Sequence, residues 1–122
     1  MDPSNIKLTL NIPIGAGDGS FSAVKLPKRI VIEKVSLVDN AGLAASNTDY
    51  VSVALRSGAT VIAETDTRIT EDGALVALTH KPMNLVTAQL QREADDELKV
   101  VATEGGAGAL TAATVQIDYY IP

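Results

Sequence analysis

Cysteine and tryptophan are absent from the 122 residues, and the aromatic complement is one Phe and three Tyr. Without cysteine there are no disulfides, no Cys-ligated zinc and no thiol nucleophile, and folding in a reducing cytosol is expected. A single histidine, His80, excludes a metal site built on two imidazoles and leaves a Ser-His-Asp arrangement one base to use. It stands in LTHKPM, a connecting turn, with no G-x-S-x-G elbow anywhere in the chain. A solvated loop histidine is the expectation. No apolar run approaches the ~20 residues that cross a bilayer as a helix. The opening MDPSNIKL has neither the basic nor the apolar part of a secretory leader, so a soluble protein is expected, with no membrane partner.

What is present is small and branched. Hydrophobic residues make up 46 %, mostly Ala, Val, Leu and Ile, which suits thin, closely packed sheets in a single domain over residues 1–122. The formal charge is −5, from 15 acidic and 10 basic residues. Nucleic-acid binding neutralises phosphates, so an acidic chain without a concentrated basic stripe is not expected to bind it. The densest basic cluster, KLPKR at 25–29, reads as charge flanking a strand entrance.

Period-two alternation dominates. In IKLTLNIPI, Ile6, Leu8, Leu10, Ile12 and Ile14 share a face, and in TVQIDYYI so do Val115, Ile117, Tyr119 and Ile121. Both read as half-buried strands, with the termini paired in one sheet. RIVIEKVSLV changes parity between Ile32 and Val35, which predicts a bulge near Glu33 and Lys34 or a stretch covered on both faces. YVSVALR, the turn SGAT and VIAE predict a hairpin over 50–64, with Val51, Val53 and Leu55 inward. Residues 65–74 read as loop. LVALT (75–79) and NLVTAQL (84–90) read as strands separated by HKPM, and QREADDELK as a turn into a strand carrying Leu98, Val100 and Ala102. The sum is seven to eight short strands and no helix of ten residues. That predicts an all-β antiparallel sandwich of jelly-roll type.

EGGAGALTAA, residues 104–113, resembles a phosphate loop only in its glycines. The lysine and the following helix of such a loop are missing, and it connects the last two strands as a hairpin tip. The acidic turns Asp95-Asp96-Glu97, Glu71-Asp72-Gly73 and Asp18-Gly19 lack the D-x-D-x-D-G spacing of a calcium loop. A pair of glycosidase carboxylates is open on sequence grounds, but few aromatics exist to form a sugar platform. Neither catalysis, nor a cofactor, nor a small-molecule substrate is expected.

Three segments in order carry a resemblance: AVKLPKRIVIEKVSLV, AGLAASNTDYVSVALRSG and ADDELKVVATEGGAGALTAATVQIDYY. Together they span most of residues 23–120, and this order resembles that of small β-sandwich head decoration (cement) proteins of tailed bacteriophages. One departure is Ala94-Asp95-Asp96, where Ala-Gly-Asp is expected before the Leu-x-Val strand. The resemblance implies a virion protein made in the host cytoplasm that binds the major capsid protein on the outer capsid surface, commonly as a homotrimer. For such a role the chain itself offers as candidate contacts an N-terminal arm with Asp2, Pro3, Ser4 and Asn5 and two long, weakly charged loops, VDNAGLAASNTDY with Leu43 and Asn47 and EGGAGALTAA with Gly105, Gly106, Ala107 and Gly108. A frayed terminus and ordinary flexible loops are the competing readings of these segments. A receptor- or carbohydrate-binding module of a tail fibre or spike, and a neck or tail component, are the competing functions.

Overall fold

The computed structural model describes residues 6–15 and 19–122, with the backbone alone for 21–23. Seven long strands dominate: β1 (Lys7–Ile14), β2 (Gly19–Lys25), β3 (Ile30–Asp39), β4 (Tyr50–Ser57), β5 (Thr60–Asp66), β9 (Glu97–Gly105) and β10 (Ala113–Tyr120). Three two-residue strands lie between β5 and β9, namely β6 (Lys81–Pro82), β7 (Asn84–Leu85) and β8 (Gln91–Arg92). A 3-10 turn at Thr87–Gln89 is the only helical element among the described residues.

All pairing is antiparallel and forms two sheets. One has the order β1-β10-β3-β6, with β8 also on β3; the other has β2-β9-β4-β5-β7. The chain is an all-β sandwich. With β6 and β8 taken as two pieces of one broken strand and the short edge strand β7 left aside, the orders become first-eighth-third-sixth and second-seventh-fourth-fifth. The termini meet as the alternation requires, Leu10 opposite Ile117 and Ile12 opposite Val115.

The core lies between the sheets. Ile12, Ile32, Leu37, Val115 and Ile117 from one side meet Val51, Val53, Leu55, Leu98 and Val100 from the other, all nearly or fully inaccessible. Each such side chain contributes about 1.5–3 kcal/mol by leaving water. The parity break in β3 is a bulge: Lys34 opposes Asp118 and Ile32 opposes Tyr119, so Glu33 is the extra residue. That single insertion buries both Ile32 and Val35. A second bulge, without an obvious sequence signal, sets Ile62 between the pairs Leu55–Ala63 and Arg56–Val61, and buries both Ile62 and Ala63.

Three expectations need correction. LVALT is not a strand: it contributes one bridge, Leu75 to Leu43, and then a turn with Leu78 at φ 57°. NLVTAQL supplies only Asn84–Leu85 before the 3-10 turn. Pairing in these segments stays short: Asn84–Leu85 pairs only with Ala63 and Glu64 of β5, and the β3 edge is taken by Lys81–Pro82, where Pro82 cannot donate to a ladder. The apolar stripe of β1 is only half used. Ile12 and Ile14 are buried, but Leu8 is 38 % and Ile6 is 66 % exposed, because the cover over this edge strand ends before them.

Candidate functional site

The sandwich has two unlike ends. At one, strands are joined by residues 26–29, 58–59 and 93–96, all tight turns. At the other lie the longer connections 40–49, 67–80 and 106–112. Of the nominated contact residues, Leu43, Asn47 and Gly105–Gly108 gather at this second end, whereas Asp2, Pro3, Ser4 and Asn5 lie outside the described residues.

Asp39, the last residue of β3, ties the three long connections together. Its side chain is inaccessible to water. Oδ1 accepts the Thr111 N–H at 2.8 Å and Oδ2 the Ala41 N–H at 3.2 Å, while its backbone carbonyl accepts the Leu78 N–H at 2.9 Å. A buried carboxylate is tolerated when backbone donors surround it. Sequence reading passed over this residue because a strand-terminal Asp looks like any solvated turn.

The Gly-rich loop is a fitted piece. The Ala107 N–H donates to Asp49 Oδ1 at 2.8 Å, and the Gly108 N–H closes a turn on the Gly105 carbonyl at 3.0 Å. A Cβ at Gly105 would strike the Tyr50 ring, one at Gly106 the Thr48 carbonyl and Asp49, and one at Gly108 the Tyr50 backbone. Gly106 also has φ 58°. The glycines therefore permit close approach of two chain segments. Gly108 is buried; Gly106 and Ala107 are exposed.

Asn47 and Leu43 lie in the 40–49 connection and both meet the 67–80 connection. Asn47 Oδ1 accepts the Thr70 N–H at 3.2 Å and its hydroxyl at 3.3 Å. Leu43 and Leu75 exchange two backbone bonds at 2.9 and 2.8 Å. Within 67–80, Arg68 donates from Nε at 3.1 Å and from Nη2 at 2.6 Å to Asp66, and its guanidinium lies 4.4 Å from the centre of the Tyr50 ring. These bonds hold the Asp66 carboxyl below the ordinary carboxylate range, against the opposing effect of its burial. Asp72 accepts from the Asp66 N–H and from Asn84, and Lys81 Nζ donates to the carbonyls of Asp72 and Ala74.

His80 is exposed, with Nδ1 2.9 Å from Ser36 Oγ on the outer face of the first sheet. The Asp118 carboxylate, which lines the same surface recess as His80, accepts from Thr9 and Gln116. Among the described residues, no group of three or more His, Asp or Glu is arranged to hold a metal ion. Asp95 stands where the resemblance expects glycine and has φ 72°. The backbone keeps the left-handed turn, and an aspartate occupies it.

No protein-family profile matches the chain. No curated protein matches it by sequence. Among solved structures, a chain in one described as "Cyanophage Pam1 capsid asymmetric unit" is similar in fold. It superposes with TM-score 0.58 at 12 % identity, over 100 % of this chain and 89 % of that one.

Proposed function

We propose that this chain is a structural virion protein of a tailed phage, one that decorates the outer surface of the head by binding the major capsid protein. The observation that carries the reading is the fold likeness to a chain of a phage capsid asymmetric unit. The likeness covers 100 % of this chain and 89 % of the other. Strand orders first-eighth-third-sixth and second-seventh-fourth-fifth support reading the sandwich as a jelly roll whose sixth strand is split into Lys81–Pro82 and Gln91–Arg92.

A role in binding rather than catalysis agrees with the polar groups at the long-loop end. Asp39, Asp49, Asp66 and Asp72 each bind the protein's own backbone or side chains. A homotrimer at a threefold position would multiply weak contacts into avid attachment. The first test is copy number per particle, by quantitative mass spectrometry of virions of the source phage. Hundreds of copies in simple ratio to the coat protein are expected. A dozen or fewer would move the protein to the neck, tail or fibre, and absence from the particle would end the virion reading.

A further inference from the structure

Three large apolar residues of the 67–80 connection face water: Ile69 at 64 %, Val76 at 63 % and Leu78 at 73 % exposure. Building on the decoration reading, we infer that this connection is the seat of the protein on its coat partner. Ile69, Val76 and Leu78 form an apolar anchor within an acidic rim, suited to a coat-protein surface with an apolar recess bordered by lysine and arginine.

Leu78 carries the first part of the argument. A leucine at φ 57° is strained, because its Cβ crowds the following carbonyl. Such strain persists only where surrounding structure imposes it, and here the Leu78 N–H is fixed to the carbonyl of buried Asp39. Folding recovers little from the side chain in return, since it stays in water. The strain therefore serves display.

Rigidity is the second part. The connection is fastened by Lys81 to the carbonyls of Asp72 and Ala74, by the paired Leu43 and Leu75, and by Thr70 to Asn47. These bonds fix the backbone of much of the connection on folding, which lowers the entropy cost of association.

Charge selects the partner. Asp49, Glu71 and Asp72 are exposed at this end. Its two cations, Arg68 and Lys81, are turned onto the protein's own Asp66 and carbonyls. The opposite end holds most of the basic residues, among them Lys25, Lys28, Arg29 and Arg92. A second copy could satisfy the acidic rim only by presenting that opposite end. Lys25, Arg29 and Arg92 there are already paired with Asp95, Glu93 and Asp96, so that end offers a second copy little free positive charge, and the occupant is a different protein.

The test uses heads of the source phage prepared without this protein, with binding of the purified chain measured directly. Leu78→Asn keeps a residue that accepts positive φ and removes the apolar side chain; Val76→Ser and Ile69→Ser complete the set. Val86→Ser, at an exposed position outside the connection, is the control. Each of the first three is expected to weaken head binding at least tenfold. Leu78→Asn should leave the melting temperature unchanged or higher, and the control should bind as wild type. Wild-type binding is expected to weaken between 0.15 and 0.5 M salt, roughly as screening of close charges requires. Three results would overturn the assignment: wild type and all three variants binding equally, binding indifferent to salt, or self-association of the wild type that Leu78→Asn abolishes. Failure of the wild type to bind heads at all would end the decoration reading itself, and this seat with it.

Discussion

The two ends of the sandwich are built from different interactions. At the tight-turn end, short connections close on backbone bonds such as Leu26 N–H to the Asp96 carbonyl at 2.9 Å. Side chains there add exposed ion pairs, Arg29 with Glu93 at 2.9 Å and Lys25 with Asp95 at 4.0 Å. Such pairs contribute little, because water screens both partners. At the long-loop end, side chains ranging from buried Asp39 and Thr67 to exposed Asp72 bind backbone groups that have no strand to bond to. Asp39 takes two N–H groups, Thr67 takes that of Val51 and Asp72 that of Asp66. Turn geometry, helped by Asp96 accepting the Glu93 N–H and pairing with Arg92, closes one end; several such side-chain bonds close the other. Long connections acquire a defined shape only by satisfying their polar groups individually.

The sharpest way to break this contrast is Gly108→Val. The Tyr50 backbone blocks the new side chain, so two connections must separate. A loss of about 3 kcal/mol is expected in denaturant unfolding. Little or no loss would mean that the glycine loop is not held against Tyr50. Next in size is Asp39→Ala, which strands the N–H groups of Thr111 and Ala41 and should cost about 2 kcal/mol. Faster hydrogen exchange should appear at Thr111 and Ala41 and be absent from 93–96; uniform change across both ends would contradict the hub.

Arg68→Met sharpens the comparison through pH. The arginine lowers the Asp66 carboxyl in the folded state, so the pair stabilises above the unfolded carboxylate pKa of about 4 and is lost as pH falls through the folded value. The variant should melt below wild type at pH 7, and the gap should close in acid, below about pH 4. A gap independent of pH would assign the effect to the Tyr50 stacking instead. The smallest effect belongs to the tight-turn end. Asp95→Gly relieves a positive φ and should add about 0.5 kcal/mol, whereas Arg29→Ala should leave the melting temperature unchanged.

The legible parts of the fold were those with local causes. Alternation paired the first and last strands and turned Ile12, Val115, Ile117, Val51, Val53 and Leu55 inward. The parity change after Ile32 predicted either a bulge near Glu33 and Lys34 or two covered faces, which the structure resolves as a bulge at Glu33. The same alternation misled at Val76 and Leu78, because period two shows that a strand is possible and not that an edge is free to receive it. Of the candidate site, the glycine loop and Asn47 were nominated as contact residues, and the structure gives Gly105, Gly108 and Asn47 internal partners. Leu78 escaped notice because its φ depends on a bond to Asp39, 39 positions away.

Sequence alone determined the sheet class, the inward faces of the long strands and the turns that separate them, since residues two apart on an extended chain share a face. Only tertiary structure decided the strand order beyond the terminal pair and the 50–64 hairpin, that Asp39 is a buried junction, and that an apolar leucine stays in water. Those outcomes depend on groups brought together from distant positions, and no local pattern encodes which donor will find which acceptor.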